Sequence, residues 1–328
     1  MAVHTRICPS CGALVAKEDR RCLRCDRVML PVWADSLAKS FGEIFGHETP
    51  LTWVFVLLCL LDFFGMFLPI MAKNPGDFSW LLGSGVGTVD LLRWGGLVYL
   101  PVAGPDGSLI EELTLREPWR LLSAMFVHLG GLHLAMNTLT LVSLGRAVES
   151  RLGSGRFAVL FLSTGIAGYL LSEVYYQTFP GVPGTAGASG GLFGLIGALA
   201  GYLYARRDPG WKEFLIRVAV MAIAFTIIFP VNNAAHVGGL VVGFAFGIGF
   251  YREHQPWKHN RAFAVLGGLM TVLSFASVVL CLTSPITRTM QQLRDQHANM
   301  TRLSTLAPVD RCRSGSGSFH DRRPSPRS

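Results

Sequence analysis

The sequence predicts an all-α protein that crosses a lipid bilayer several times. Half of its 328 residues are hydrophobic and only 15% are charged, whereas soluble domains carry roughly a quarter charged residues. Mean hydropathy is positive. Apolar stretches long enough for a transmembrane helix, roughly 20 residues, recur near 51–71, 122–144, 157–177, 189–205, 214–231, 235–251 and 262–283. The fourth and sixth are short and rich in glycine.

The chain begins with a polar head at 1–30 that holds two Cys-x-x-Cys knuckles, Cys8/Cys11 and Cys22/Cys25. That spacing is the one by which four thiolates hold a tetrahedral structural zinc. A head this short buries too little to fold unaided, so bound metal is expected to stabilise it. Disulfides are the competing reading, and a reducing compartment argues against them. No open coordination position is left for chemistry, so no cofactor is expected in catalysis. Next comes a linker at 31–50, where Trp33, Leu37, Phe41, Ile44 and Phe45 recur at helical spacing with charges between them. It reads as an amphipathic helix that either lies at the cytoplasmic membrane surface or covers the zinc knuckle.

Lysine and arginine set the expected orientation. The segments around Arg146–Arg156, Arg206–Lys212 and Arg252–Arg261 are basic, the loop at 72–120 leans acidic, and 178–188 and 230–235 carry no charge. A cytoplasmic N-terminus satisfies all of these, with the chain multi-pass in a cell membrane, a prokaryotic cytoplasmic membrane being the reading preferred. The net charge of +8 then reflects topology and tail, and no nucleic-acid partner is expected. The head offers a surface for a cytoplasmic partner. After the seventh span, residues 285–328 read as a basic, disordered tail.

Polar groups inside a membrane default to functional hypotheses, and here they gather at one depth. The second, fourth and sixth spans run in one direction, and each carries its polar residues near its beginning: His128, His133 and Asn137, then Ser189, then His236. Gly190, Gly194, Gly197 and Gly201 form one stripe, and Gly239, Gly243 and Gly247 another. Small residues every fourth position let two helices approach closely, which would bring Ser189 within reach of His236, as an activated serine requires. Glycines that merely pack helices are the bland reading. Packing alone does not explain a serine at the head of one stripe and a histidine at the head of the other. Phe193, one turn after Ser189, is placed to stack on the imidazole, or simply to face lipid or core. An imidazole and an amide at His133 and Asn137 suit an oxyanion hole. The acids within spans, Asp62 and Glu173, lie in no pattern that ties them to His236, so a dyad is the economical reading and an aspartyl site a poor one.

These residues together resemble the rhomboid intramembrane serine proteases. The run Trp119–His128 with His133 and Asn137 looks like that family's second-helix signature. Gly145–Gly153 is similar to the segment after it, Gly187-Ala188-Ser189-Gly190 to its nucleophile motif, and Ala235–Gly239 to its last core helix. The resemblance spans about 51–251. It implies a six-helix core at 51–251, joined by a loop and seventh helix at 252–284, with the site in a cavity open to the outside. It assigns Ser189 as nucleophile, His236 as general base, and His133, Asn137 and the Ser189 amide as oxyanion donors. His128, Phe193 and Gly187 are supporting residues, and Trp119 and Arg120 anchor the first loop. Phe193 stands where relatives often have tyrosine. The expected function is cleavage of single-span membrane proteins within the bilayer. An inactive binder or escort of membrane clients is the alternative, and a transporter with a midplane polar site is a more distant rival.

Overall fold

The computed structural model describes residues 5–8, 13–16, 19–24, 49–73, 75–83, 86–99, 102–103, 109–110, 113–179, 184–228, 231–253 and 260–306. Strands β1 (Thr5–Ile7) and β2 (Leu14–Ala16) precede helix α1 (Pro50–Lys73) and helix α2 (Thr88–Trp94). Strands β3 (Leu97–Val98), β4 (Val102–Ala103) and β5 (Leu109–Ile110) follow, then helices α3 (Leu113–Arg116), α4 (Arg120–Ser123), α5 (Gly131–Thr140), α6 (Arg146–Leu152) and α7 (Ser154–Thr178). Strand β6 (Gly184–Thr185) leads into α8 (Ser189–Ala205), α9 (Gly210–Ile228), α10 (Asn233–Arg252), α11 (Arg261–Thr283) and α12 (Pro285–Leu306). Among the described residues four helical stretches are long and apolar enough to cross a membrane: α1, α7, α10 and the run that begins with α11. Helix α8 is apolar but shorter, at 17 residues. This is a polytopic all-α membrane protein.

Helix α1 shows how sequence sets an element in such a protein. Phe55, Cys59, Asp62, Phe63, Met66 and Phe67 form its buried face at helical spacing. Leu57, Leu61, Phe64 and Leu68 on the other side are exposed. In water that face would be an adhesive patch; lipid covers it at no cost. Its first amides have no partner within the helix, and the buried Glu149 of α6 supplies one. The Leu51 and Thr52 amides and the Thr52 hydroxyl donate to that carboxylate at 3.0, 2.8 and 2.7 Å. A carboxylate at a helix N-terminus also faces the favourable end of the helix dipole.

The stretch 122–144 departs from the single span expected of it. It breaks into α4, a non-helical segment through Gly130, and α5, which passes through a π-helical turn at Leu141–Gly145 into α6. The break has a cause in packing. A Cβ on Gly130 would lie 2.6 Å from the Gly83 nitrogen, so the first loop passes against the backbone there.

The two glycine stripes meet. A Cβ on Gly239 would strike the Gly190 carbonyl oxygen, one on Gly243 that of Gly194, and one on Gly247 that of Ala198. The ascending order of both partners makes α8 and α10 parallel neighbours in backbone contact. Helix α7 runs antiparallel beside them: Gly191 packs on Phe161, and Gly168 on Ala235. Helix α11 lies along α7, with Gly155 against Phe263 and Gly267 against Gly155. The ends of α7 and α11 therefore share one face of the bundle with the beginnings of α8 and α10.

The cysteine head and the tail differ from what their composition suggests. Cys8 and Cys22 are buried beside Val15, and neither forms a disulfide. Among the described residues no group of three or more His, Cys, Asp or Glu is arranged to hold a metal. The structural zinc expected from Cys8, Cys11, Cys22 and Cys25 is therefore not supported. Cys11 and Cys25 lie outside the described residues, as does the amphipathic segment around 33–45. Knuckle spacing permits a metal site without requiring one, and the β1–β2 hairpin instead gathers Cys8 and Cys22 into a small apolar cluster. The tail expected to be disordered from 285 onward is helical as far as Leu306. Ser284 caps that helix by accepting from the Thr287 amide at 3.2 Å, and Pro285 takes the first helical position, where its missing N–H does no harm. The remainder, 307–328, is outside the described residues.

The glycine contacts make a prediction. Gly243→Ala forces α8 and α10 apart and should destabilise the bundle by about 1–3 kcal/mol, read as a lower thermal midpoint in detergent. Gly249→Ala on the same helix, where a Cβ meets nothing within 4 Å, should leave the midpoint unchanged or slightly raised.

Candidate active site

The site begins with a turn. Gly187 has φ +128, a conformation that side-chain-bearing residues avoid, and a Cβ there would lie 2.7 Å from His133 Cε1. Its amide donates to the Ala124 carbonyl at 2.8 Å. The buried Tyr169 hydroxyl reaches both the Gly187 and Ala124 carbonyls, at 2.7 and 3.1 Å. The turn is thus held from α7 and from the segment after α4. It delivers Ser189 to the first position of α8, where backbone amides point free of the helix.

Across from it, Asn232 caps α10 by accepting from the Ala235 amide at 3.0 Å. His236 stands on the first turn of that helix, with Nε2 2.9 Å from Ser189 Oγ. The Phe193 ring stacks on the imidazole, centroids 4.2 Å apart and planes within 9°. The His236 Nδ1 atom is buried without a hydrogen-bond partner in the protein. For Nε2 to accept the serine proton, Nδ1 must carry the ring hydrogen. Neither candidate acid serves it: Glu173 accepts from the Thr114 hydroxyl at 2.7 Å, and Asp62 sits on the buried face of α1.

His133 abuts Gly187 on one side of its ring. His128 lies behind it, ring centroids 5.0 Å apart, with Nδ1 2.9 Å from the Phe126 carbonyl. That bond makes Nδ1 the protonated nitrogen and turns the Nε2 lone pair inward, where it is buried without a partner. Asn137 donates to the His133 carbonyl at 2.9 Å, leaving one amide hydrogen uncommitted there. Of the residues singled out from sequence, Ser189, His236, Phe193, Gly187, His133 and His128 therefore come together. Asn137 adjoins them through His133 and hydrogen bonds to neither Ser189 nor His236.

Trp119 and Arg120 are elsewhere, in a buried junction on the same face. Arg120 is fully buried and pairs with Glu117 at 2.6 Å. It also donates to the Leu92 carbonyl at 2.6 Å and to the Thr287 hydroxyl at 3.1 Å. Ser284 donates to the other oxygen of Glu117, and the Ser123 hydroxyl donates to the Gly95 carbonyl at 2.8 Å. Trp119, half-buried, begins the turn into α4. The junction binds the first loop to α4 and to the corner between α11 and α12. Helix α12 is held further out by Arg294, 3.0 Å from Asp90. Sequence reasoning missed Tyr169, Glu117, Ser284 and Thr287. Only Ser284-Pro285 left a local signal, that of a helix start.

Known proteins resemble part of this chain in sequence. Residues 115–253 match the family model described as the Rhomboid domain. The chain is 34% identical over 207 residues to "Rhomboid protease GluP" of Bacillus subtilis, covering 63% of this chain and 36% of that protein. It is 33% identical over 173 residues to "RHOMBOID-like protein 2" of Arabidopsis thaliana, covering 49% and 54% respectively. "Inactive RHOMBOID-like protein 8" of the same plant is 31% identical over 160 residues, 43% of each chain. This chain thus spans between about a third and a little over half of these relatives' lengths. Over 115–253 the chain is similar to the Rhomboid domain. That region contains the site residues from Trp119 to His236 and excludes the cysteine head, α11 and α12.

The junction has a measurable weight. Replacing Arg120 by methionine strands the buried Glu117 charge and should cost about 3–5 kcal/mol in unfolding free energy. Ser284→Ala leaves the pair intact and strips one partner, for which about 1–3 kcal/mol is expected. Chemical or thermal unfolding in detergent checks both.

Proposed function

We propose that this protein is an intramembrane serine endopeptidase that cleaves the transmembrane segments of other membrane proteins with a Ser189–His236 dyad. The observation that carries the reading is the 2.9 Å approach of His236 Nε2 to Ser189 Oγ at the head of a helix, with the imidazole stacked on Phe193. Homology to rhomboid proteases over 115–253 supports the same reaction class.

In this reading His236 accepts the Ser189 proton as Oγ attacks the scissile carbonyl. Negative charge develops on the carbonyl oxygen. The Ser189 amide, freed by its place in the first helical turn, meets that charge with His133 and Asn137. His236 then gives its proton to the departing amine. Water adds to the acyl-enzyme, with His236 again taking the proton, and Ser189 is released. The substrate is a single-span helix that must first unwind, because its carbonyls are already hydrogen-bonded in lipid. A segment weakened by glycine or proline yields most easily.

The topology proposed with this function puts the N-terminus in the cytoplasm and the site near the outer face of a multi-pass cell-membrane protein, a prokaryotic cytoplasmic membrane fitting best. The six-helix core occupies 51–251, and α11 is a seventh crossing. That arrangement brings α12 and the first loop to the same outer side, which fits the Arg294–Asp90 pair. The alternative, a binder without activity, gains some weight from similarity to a relative named inactive. It would not need a serine and a histidine in hydrogen-bond contact.

Co-expression with a panel of single-span proteins tests the reading. Parent chain should cleave at least one, and Ser189→Ala and His236→Ala should each lower the rate by about a thousandfold or more. A fluorophosphonate should label the parent and not Ser189→Ala. Cleavage that survives Ser189→Ala, or client capture without cleavage in the parent, sinks the protease reading in favour of the alternative.

A further inference from the structure

We propose that Asn232 is a positioning residue: through its amide bridge to Thr185 it sets the separation between Ser189 and His236. The inference rests on the dyad reading above and extends it to residues that lie outside the reacting groups.

The two residues occupy matching places. Thr185 stands four residues before Ser189, and Asn232 four residues before His236. The Asn232 Oδ1 atom accepts from the Ala235 amide at 3.0 Å. A backbone N–H can only donate, so this bond fixes which end of the side-chain amide is oxygen. The Nδ2 group must point the other way, where it donates to Thr185 Oγ1 at 2.9 Å and to Ser172 Oγ. The Asn232 carbonyl meanwhile accepts from the His236 amide at 3.2 Å. One side chain therefore caps the histidine helix and grips the strand that feeds the serine turn.

Both sides of the bridge are anchored. Thr185 is buried, and its backbone pairs with Leu97 of the first loop in the β3–β6 ladder. Ser172 is fully buried on α7 and lies 2.6 Å from the Tyr99 hydroxyl. Tyr99 in turn stacks on Tyr176, centroids 5.3 Å apart. Below the site, the glycine stripes set the spacing of α8 and α10. Above it, among the described residues, the Thr185–Asn232 bond is the side-chain hydrogen bond that ties the approach to α8 to the approach to α10. Without it, among the described residues, the side-chain hydrogen bond left between the two first turns is Ser189–His236, the one that the reaction itself must break and remake. A displacement near 1 Å in such geometry lowers a rate by up to about a hundredfold.

The test uses the full chain in detergent or liposomes with one cleaved substrate. Thr185→Val keeps shape and removes the acceptor; Asn232→Ser keeps a capping oxygen and is too short to bridge. Each should lower kcat by about tenfold or more with KM within about twofold, while the thermal midpoint stays near that of the parent. Thr185→Ser should restore kcat to within about twofold. The Thr185→Val/Asn232→Ser double variant should lose little more than the worse single variant, as expected when one bond is removed twice. Parental kcat in both single variants, with Ser189→Ala inactive, overturns the bridge and leaves the dyad standing. The bridge is equally overturned if Thr185→Ser fails to restore kcat, or if kcat and thermal midpoint fall together in every variant. Activity retained by Ser189→Ala overturns the dyad, and this inference with it.

Discussion

Helices α8 and α10 touch backbone to backbone, and the rest of the site depends on that contact. A serine side chain reaches one bond beyond its Cβ, so a hydrogen bond to an imidazole on a neighbouring helix demands an unusually short interaxial distance. Gly239, Gly243 and Gly247 provide it by lying directly against the carbonyls of Gly190, Gly194 and Ala198. In a bilayer, apolar helices gain nothing by leaving lipid for each other. Close packing must supply the attraction, and larger side chains would both weaken it and pull Ser189 from His236. Helix α7 completes the arrangement, since Gly168 against Ala235 and Gly191 against Phe161 seat it on the pair from the opposite direction.

A second constraint is that polar groups away from water need partners, and the fold meets it by joining distant segments. Glu149 at one end of the bundle caps α1 across nearly a hundred residues of sequence. At the other end, the Glu117–Arg120 pair gathers the first loop and the corner at Ser284 and Thr287. That junction communicates with the site by a short route. The Ala124 amide donates to the Arg120 carbonyl, and the Ala124 carbonyl receives the Gly187 amide. The C-terminal helices thus bear on the turn before Ser189 even though they lie outside the region matched to the Rhomboid domain.

Much of the site was legible because membrane depth is a one-dimensional quantity. Three spans running the same way and carrying Ser189, His236 and the His133–Asn137 group at their starts can be aligned without knowing how they pack, and the glycine periodicity says which spans touch. One helical turn put Phe193 where it could stack on the imidazole or face lipid or core, and the rings stack. What escaped was whatever depends on contacts between distant segments. The break at Gly130 is set by Gly83 passing beside it, a contact that hydropathy does not register, so 122–144 read as one span. The helix at Pro285–Leu306 is polar on one face and docks on the first loop, so composition alone suggested a tail. Knuckle spacing at Cys8–Cys25 suggested zinc by analogy of pattern, and the described residues offer no cluster of ligands for it. Tyr169 looked like one more ring in an apolar helix; only the fold shows its hydroxyl bridging Ala124 and Gly187.

The orientation of His236 illustrates how these constraints act together. A carboxylate behind the imidazole would fix its tautomer, but a charge in this setting would need further donors to offset its desolvation. Here a stacked ring and a capped helix take over the orienting task. Phe193 restrains the plane of the imidazole without introducing charge, and Asn232 fixes the helix turn from which the ring projects. The Nδ1 atom has no hydrogen-bond partner in the protein, and the proposed hydrolysis requires that water reach the acyl-enzyme. Water admitted for that proposed step would also be available to Nδ1. In the proposed mechanism the lack of a third protein group at His236, among the described residues, and the need for water at Ser189 would then be met by the same solvent.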